Sequence, residues 1–177
     1  STAQLAINTG MKDIVRTAHE LGIQSELKPV PALSLGAFEL NPYEVLQVYT
    51  ALARFGEKTN LTILRRIETL DGDILFMHEP EETRVANLVE TAVLVGMMKQ
   101  TVISGSAAAV PLLGFHLPAA GKTGTTSETK DAWFAGFTPY HVAVVWVGYD
   151  DNTQHGLTGA SGAVPIWTDY MKRAASQ

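Results

Sequence analysis

The segment Gly121-Lys122-Thr123-Gly124-Thr125-Thr126 sets a cation, hydroxyl residues and glycine side by side, between Leu117-Pro118-Ala119-Ala120 and the apolar run Ala132-Trp133-Phe134-Ala135-Gly136-Phe137. On an extended strand these groups can hold a substrate carboxylate and leave backbone room for a reacting carbonyl. Lys122 supplies charge, Thr123 a hydrogen bond, and Thr125 both a hydroxyl and a backbone N–H, with Thr126 closing the run. Gly124 has no Cβ, so a ligand can lie flat against the strand. The chemistry this suits is acyl transfer, where a serine attacks a carbonyl and the oxyanion needs donors already in place. Taken alone, Lys-Thr-Gly is a weak signal and reads first as a strand-edge turn with solvated polar groups.

Lys-Thr-Gly resembles one of three motifs found together in penicillin-binding proteins and class A β-lactamases, and that resemblance implies a nucleophile in Ser-x-x-Lys at a helix start with a Ser-x-Asn motif as the opposite wall. Ser-x-Asn does not occur in the chain, and Ser-x-x-Lys occurs twice, as Ser25-Glu26-Leu27-Lys28 and Ser127-Glu128-Thr129-Lys130. Eight serines and seven lysines in 177 residues give roughly 0.3 such matches by chance. Pro29 disfavours helical geometry at Lys28, and Ser127 follows the lysine motif too closely to start an independent helix. Both matches read as coincidences.

Other candidates have simpler readings. His19, His78, His116, His141 and His155 lack the paired spacing of a metal site. Asp150-Asp151-Asn152 lacks the alternating ligands of a calcium loop and reads as a solvated strand-end turn. Glu79, Glu81 and Glu82 read as a polar loop, Trp133 and Trp146 as sheet core, and Tyr149 with the 150–160 loop as a candidate rim. No metal and no cofactor is expected.

The elements that must position the lysine segment follow from periodicity and punctuation. Residues 4–21 predict a helix stopped by Gly22, and Lys28–Pro31 a stiff connector. Asn41-Pro42-Tyr43-Glu44 predicts a capped helix running to Gly56. Leu61–Leu70 and Ile74–Met77 predict a hairpin about a two-residue Asp71-Gly72 turn. A helix is expected over about 87–102 with Leu88, Val89, Ala92, Val93, Val95, Gly96 and Met97 as its apolar face, then an irregular stretch from Ile103 to Leu117. Strands are expected at about 119–126, 131–138 and 142–149, a polar segment at 150–162 and a final helix over about 163–175. The result is an α+β fold, an antiparallel sheet flanked by helices. The last two strands are apolar on both faces, so helices should cover the sheet on both sides.

Bulk properties fit a folded globular piece: 46% hydrophobic, 18% charged, no cysteine and a formal charge of -5. The charge and the lack of a basic run argue against nucleic acid as a partner. No segment approaches the ~18–20 apolar residues needed to span a bilayer. The chain opens without the plan of a signal peptide, and its abrupt start at Ser1 reads as a cut inside a longer protein, with any export signal or anchor upstream.

The lysine segment followed by Asp131-Ala132-Trp133-Phe134-Ala135-Gly136-Phe137 resembles the transpeptidase domain of class A penicillin-binding proteins, nearest to the bifunctional 1b-like branch. Leu33-Ser34-Leu35-Gly36 with Leu40–Val45, the turn Ser104-Gly105-Ser106-Ala107, the stretch Trp146–Asn152 and Gly159-Ala160-Ser161-Gly162-Ala163 extend the resemblance over essentially the whole chain. It implies a β-lactamase/transpeptidase-like fold, incomplete on its N-terminal side, with residues 1–177 the C-terminal portion of one domain. It also implies that Lys122, Thr123 and Thr125 bind the terminal carboxylate of a D-Ala-D-Ala stem peptide, or of a β-lactam that imitates it. Gly124 and Thr126 complete that binding segment, and the backbone N–H of Thr125 forms half of the oxyanion hole. Ser1-Thr2-Ala3 is either a degenerate Ser-x-Asn, or the chain begins just after the true motif. Either way the nucleophile is expected outside this polypeptide, and the chain alone is expected to be inactive. The implied function is D,D-transpeptidation in peptidoglycan synthesis on the periplasmic or extracytoplasmic side of the membrane, with cell-wall synthesis proteins as candidate partners. A D,D-carboxypeptidase or β-lactamase, and a non-catalytic binding module, are the alternatives.

Overall fold

The structure is a computed structural model that describes residues 2–175. Ser1, the first residue of the degenerate-motif reading, lies outside the described residues. The first helical stretch is two helices, α1 (Thr2–Thr9) and α2 (Met11–Leu21), where the spacing predicts one. Gly10 stands between them at φ 101° and ψ 110°. That backbone is outside the helical region and suits a residue without a Cβ. Gly22 ends α2 as expected, its N–H donating to the carbonyl of His19.

Helix α3 (Pro42–Ala53) starts on the expected capping box. Asn41 Oδ1 accepts the N–H of Glu44 at 3.0 Å, and the Glu44 carboxylate reaches back to the N–H of Asn41. The same carboxylate, buried at 5% exposure, accepts the N–H groups of Gln24 and Ser25 at 2.8 and 2.7 Å and the Ser25 hydroxyl at 2.8 Å. One side chain therefore caps α3 and fastens the connector behind α2 to it. Burial pushes the Glu44 carboxyl upward, but the hydrogen bonds from Ser25, Gln24 and Asn41 outweigh it and hold the group below its ordinary value.

Two small antiparallel ribbons follow. Strands β1 (Glu57–Thr59), β2 (Arg66–Glu68), β3 (Ile74–Met77) and β4 (Glu82–Arg84) pair as β1 with β4 and β2 with β3. The hairpin is present, but β2 is shorter than the Leu61–Leu70 run. Its turn is a three-residue loop: Thr69 N–H donates to Asp73 and Gly72 N–H to Thr69. Both strands of this hairpin are exposed.

Helix α4 (Leu88–Ile103) is capped by Asn87, whose side chain accepts the N–H groups of Val89 and Glu90. Its buried residues are Thr91, Val95, Met98 and Val102, whereas Leu88, Val89, Val93 and Met97 of the expected apolar face are exposed. The helix is apolar nearly all round, so its pattern could not choose the side that meets the sheet. The expected irregular stretch holds a short helix, α5 (Ala109–Leu112).

The main sheet is β5 (Ala120–Thr125), β6 (Asp131–Phe137) and β7 (Val142–Gly148), antiparallel in the order β5-β6-β7, and α6 (Val164–Ala174) closes the chain. Alternation assigns each residue to a face. Thr123 pairs with Phe134 and Phe134 with Val145 on one face; Ala120 pairs with Phe137 and Phe137 with Val142 on the other. Phe134 stands edge-on to Trp167 of α6, which is 0% exposed, in a core with Val110, Phe115 and Met171. Phe137 and Ala120 pack with Leu52, Val95 and Met98 of α3 and α4. Helices thus cover both faces, as the double-sided apolar pattern requires. Trp133 and Trp146 form a half-buried tilted pair, and Trp167 is the tryptophan at the centre of the core.

Candidate functional site

The lysine segment forms β5, the outer strand of the main sheet. Period-two alternation divides its members. Thr123 and Thr125 share the face that carries Phe134 and Ala132, while Lys122 and Gly124 share the face that carries Ala135 and Trp133. Lys122 is exposed, and its Nζ donates to the carbonyl of Thr123 at 2.9 Å. Gly124 lies over Trp133: a Cβ there would stand 3.2 Å from the Cβ of Trp133.

Both hydroxyls of the Thr123–Thr125 face are held from behind. Thr125 Oγ1 accepts the backbone N–H of Gly159 at 2.9 Å. Gly159 opens a single wide turn, Gly159–Ala163, that leads into α6 and is capped by Thr158. An added Cβ at Gly159 would stand 2.5 Å from the Trp133 carbonyl oxygen and 2.7 Å from that of Gly124. The absence of a side chain is what lets this turn lie directly on β5 and β6. Thr123 Oγ1 lies 2.6 Å from Ser106 Oγ, in the turn between α4 and α5. Neither partner could be found from local sequence, because they are 34 and 17 residues away.

Thr126 is placed differently. Its hydroxyl accepts the N–H of Asp131 at 2.8 Å and donates to Asp131 Oδ2 at 3.0 Å, closing the end of β5 against β6. Asp131 Oδ1 in turn accepts the Trp146 indole N–H at 2.8 Å. The following turn, Ser127–Thr129, carries Glu128 and Thr129 at φ 64° and 53°. His155 N–H donates to the carbonyl of Thr129, so the 150–160 loop leans on this turn at the end of β5.

The two Ser-x-x-Lys matches are not on α-helices. Ser25 lies in the connector with its hydroxyl donated to Glu44. Ser127 begins the short turn, and Lys130 pairs with Glu128 at 2.8 Å. Among the described residues no group of three or more His, Asp or Glu side chains could hold a metal ion. What the arrangement offers is an edge strand with two oriented hydroxyls, a cation and free backbone, which suits an anionic ligand lying alongside β5.

Comparison with known proteins gives concordant matches. The family model for the penicillin binding protein transpeptidase domain matches residues 5–172. The chain is 35% identical over 172 residues to penicillin-binding protein 1B of Vibrio cholerae, covering 97% of this chain and 22% of that protein. It therefore spans about a fifth of the length of that curated relative. Among solved structures, penicillin-binding protein 1A from Haemophilus influenzae matches with a TM-score of 0.88 at 24% identity, over 99% of this chain and 33% of that chain. The PonA1 protein from Mycobacterium tuberculosis, in complex with penicillin V, matches with a TM-score of 0.81 at 20% identity, over 97% of this chain and 52% of that one. The fold is that of penicillin-binding transpeptidase domains, as the sequence resemblance implies.

Proposed function

The chain belongs to the penicillin binding protein transpeptidase domain family, and from that premise we propose that it is the C-terminal portion of a D,D-transpeptidase domain. In the complete protein a serine Oγ attacks the penultimate carbonyl of a D-Ala-D-Ala stem peptide. The terminal D-alanine leaves, and the acyl ester passes to an amine of a second peptide, cross-linking peptidoglycan. A β-lactam enters by the same attack and remains as the ester.

Lys122, Thr123 and Thr125 bind the terminal carboxylate in this reading, Gly124 leaves the strand open to the ligand, and Thr126 fixes the strand end. The N–H of Thr125 is one oxyanion donor, and the nucleophile's own N–H is the other. The observation that carries the reading is β5 itself: an outer strand with the exposed Lys122 on one face and two hydroxyls on the other, each hydroxyl bonded to a turn distant in sequence. The nucleophile and the facing wall come from upstream of this chain, since Ser25 and Ser127 have neither the helix nor the free hydroxyl–lysine pairing the role needs. The remaining strands of the sheet pair along the outer side of β7. There α3 and α6 leave an apolar groove of about 400 Å³ lined by Tyr43, Leu46, Val144, Ile166 and Tyr170.

The domain works outside the cytoplasmic membrane, held by an anchor that this chain does not contribute. Among the described residues no helix is long and apolar enough to cross a membrane. The test is labelling by a fluorescent penicillin. The complete protein should form a stoichiometric ester, and the 177-residue chain alone should show no adduct by mass spectrometry. An unlabelled, correctly folded complete protein would remove the enzymatic reading, and an adduct on the chain alone would refute the placement of the nucleophile.

A further inference from the structure

We infer that Ser106 is a positioning residue that aims the hydroxyl proton of Thr123 at the substrate carboxylate. The inference rests on the carboxylate-binding reading of β5. A carboxylate only accepts hydrogen bonds, so a threonine that binds one must keep its own proton free to donate. Thr125 meets this condition: its Oγ1 already accepts the N–H of Gly159, and its proton points elsewhere. Thr123 has no backbone donor in that role. Its partner is Ser106 Oγ at 2.6 Å, a contact in which either oxygen can be the donor. With an anion in place only one direction is productive: Ser106 donates to Thr123, and Thr123 donates to the carboxylate. Each bond then polarises the next.

The turn that carries Ser106 is built to hold it there. Ser104 caps α4 with its N–H on the carbonyl of Gln100. Gly105 lies so close to the end of α4 that a Cβ would stand 2.7 Å from Thr101 Cα. Ala107, at 0% exposure, is sunk in the main core, and its N–H donates to the carbonyl of Thr101 at 3.0 Å. Ser106 thus sits between two closely packed neighbours while its own side chain is exposed. Its substitution removes a hydroxyl from the surface and leaves the core untouched.

The experiment measures acylation rates of the complete protein with penicillin and with its methyl ester, which lacks the anionic carboxylate. Ser106→Ala should slow acylation by penicillin about 3- to 10-fold, the worth of one ordinary hydrogen bond. It should change acylation by the ester less than about twofold, and Ser106→Thr should restore the penicillin rate. In the Thr123→Ala background, Ser106→Ala should add nothing, because the two hydroxyls act in series. An unchanged penicillin rate, or an equal loss with the ester, would overturn the inference. A further loss in the double variant would show that Ser106 touches the ligand itself and would overturn it too. If the unsubstituted protein forms no ester, the functional reading fails first and this inference with it.

Discussion

Gly159→Ala tests the seat beneath the carboxylate-binding hydroxyls. The new Cβ would lie 2.5 Å from the Trp133 carbonyl oxygen, 2.7 Å from that of Gly124 and 3.0 Å from Thr123 Cβ. Both oxygens belong to the paired backbone of β5 and β6, which cannot swing aside. Since real Cβ contacts essentially never fall under 3.0 Å, the turn must retreat by the difference from 2.5 Å, at least 0.5 Å. The bond from Gly159 N–H to Thr125, now 2.9 Å, then stretches to about 3.4 Å and is largely lost. Overpacking of this kind destabilises by about 1–3 kcal/mol, and the lost bond adds about 1 kcal/mol. At about 2–4 °C per kcal/mol that lowers the melting temperature of the domain by roughly 5–15 °C. A 1 Å displacement can slow catalysis about 100-fold, so half of that predicts about a 10-fold slower penicillin acylation. The assay is the acylation rate of the complete protein, taken below the variant's melting transition and scaled to its folded fraction. A variant that melts within about 2 °C of the parent and acylates at the parent rate would refute the reasoning, since the turn could not then rest on β5 as described.

Lys122→Ala should slow penicillin acylation about 10- to 100-fold through loss of a charged contact. Its melting temperature should stay within about 2 °C, because the exposed side chain bonds only to its neighbour's carbonyl; circular dichroism and fluorescent-penicillin labelling check both. Glu44→Gln should lower stability by about 2–4 kcal/mol at neutral pH in urea unfolding, since an amide NH₂ would face donors it cannot satisfy. The Glu44 carboxyl lies below its ordinary value of 4.5 in the folded protein. Its contribution is therefore complete above that value and lost as pH falls through the lower folded one. The parent should lose this increment below about pH 4.5 and Glu44→Gln should not, a difference that urea midpoints at several pH values would register.

Much of the scaffold could be read from short-range chemistry. The Asn41–Glu44 box and the β5-β6-β7 run announce themselves through capping residues and apolar strand-length runs. Gly10 sits inside a pattern that remains helical on both sides, so spacing alone carried the helix straight through it. The orientation of α4 was hidden for the opposite reason: with apolar residues on most sides, only the sheet decides which side is buried. Within the site, the lysine segment was visible, and simple alternation could have separated Thr123 and Thr125 from Lys122 and Gly124. Both turns that carry Ser106 and Gly159 stand out in the sequence as part of the family resemblance, but their contacts with Thr123 and Thr125 are not legible there, because each spans 17 or 34 residues.

The open side of β7 has a consequence for inhibitor design. Seven residues, Val142–Gly148, end the sheet with no further strand paired to them among the described residues, and α3 and α6 frame them with an apolar trough. An extended peptide with alternating apolar side chains could add there as an extra strand. If the remaining strands pair along β7 as proposed, such a molecule would compete with them for that edge. It would need no reactive ring, and enzymes that open lactams would have nothing in it to hydrolyse.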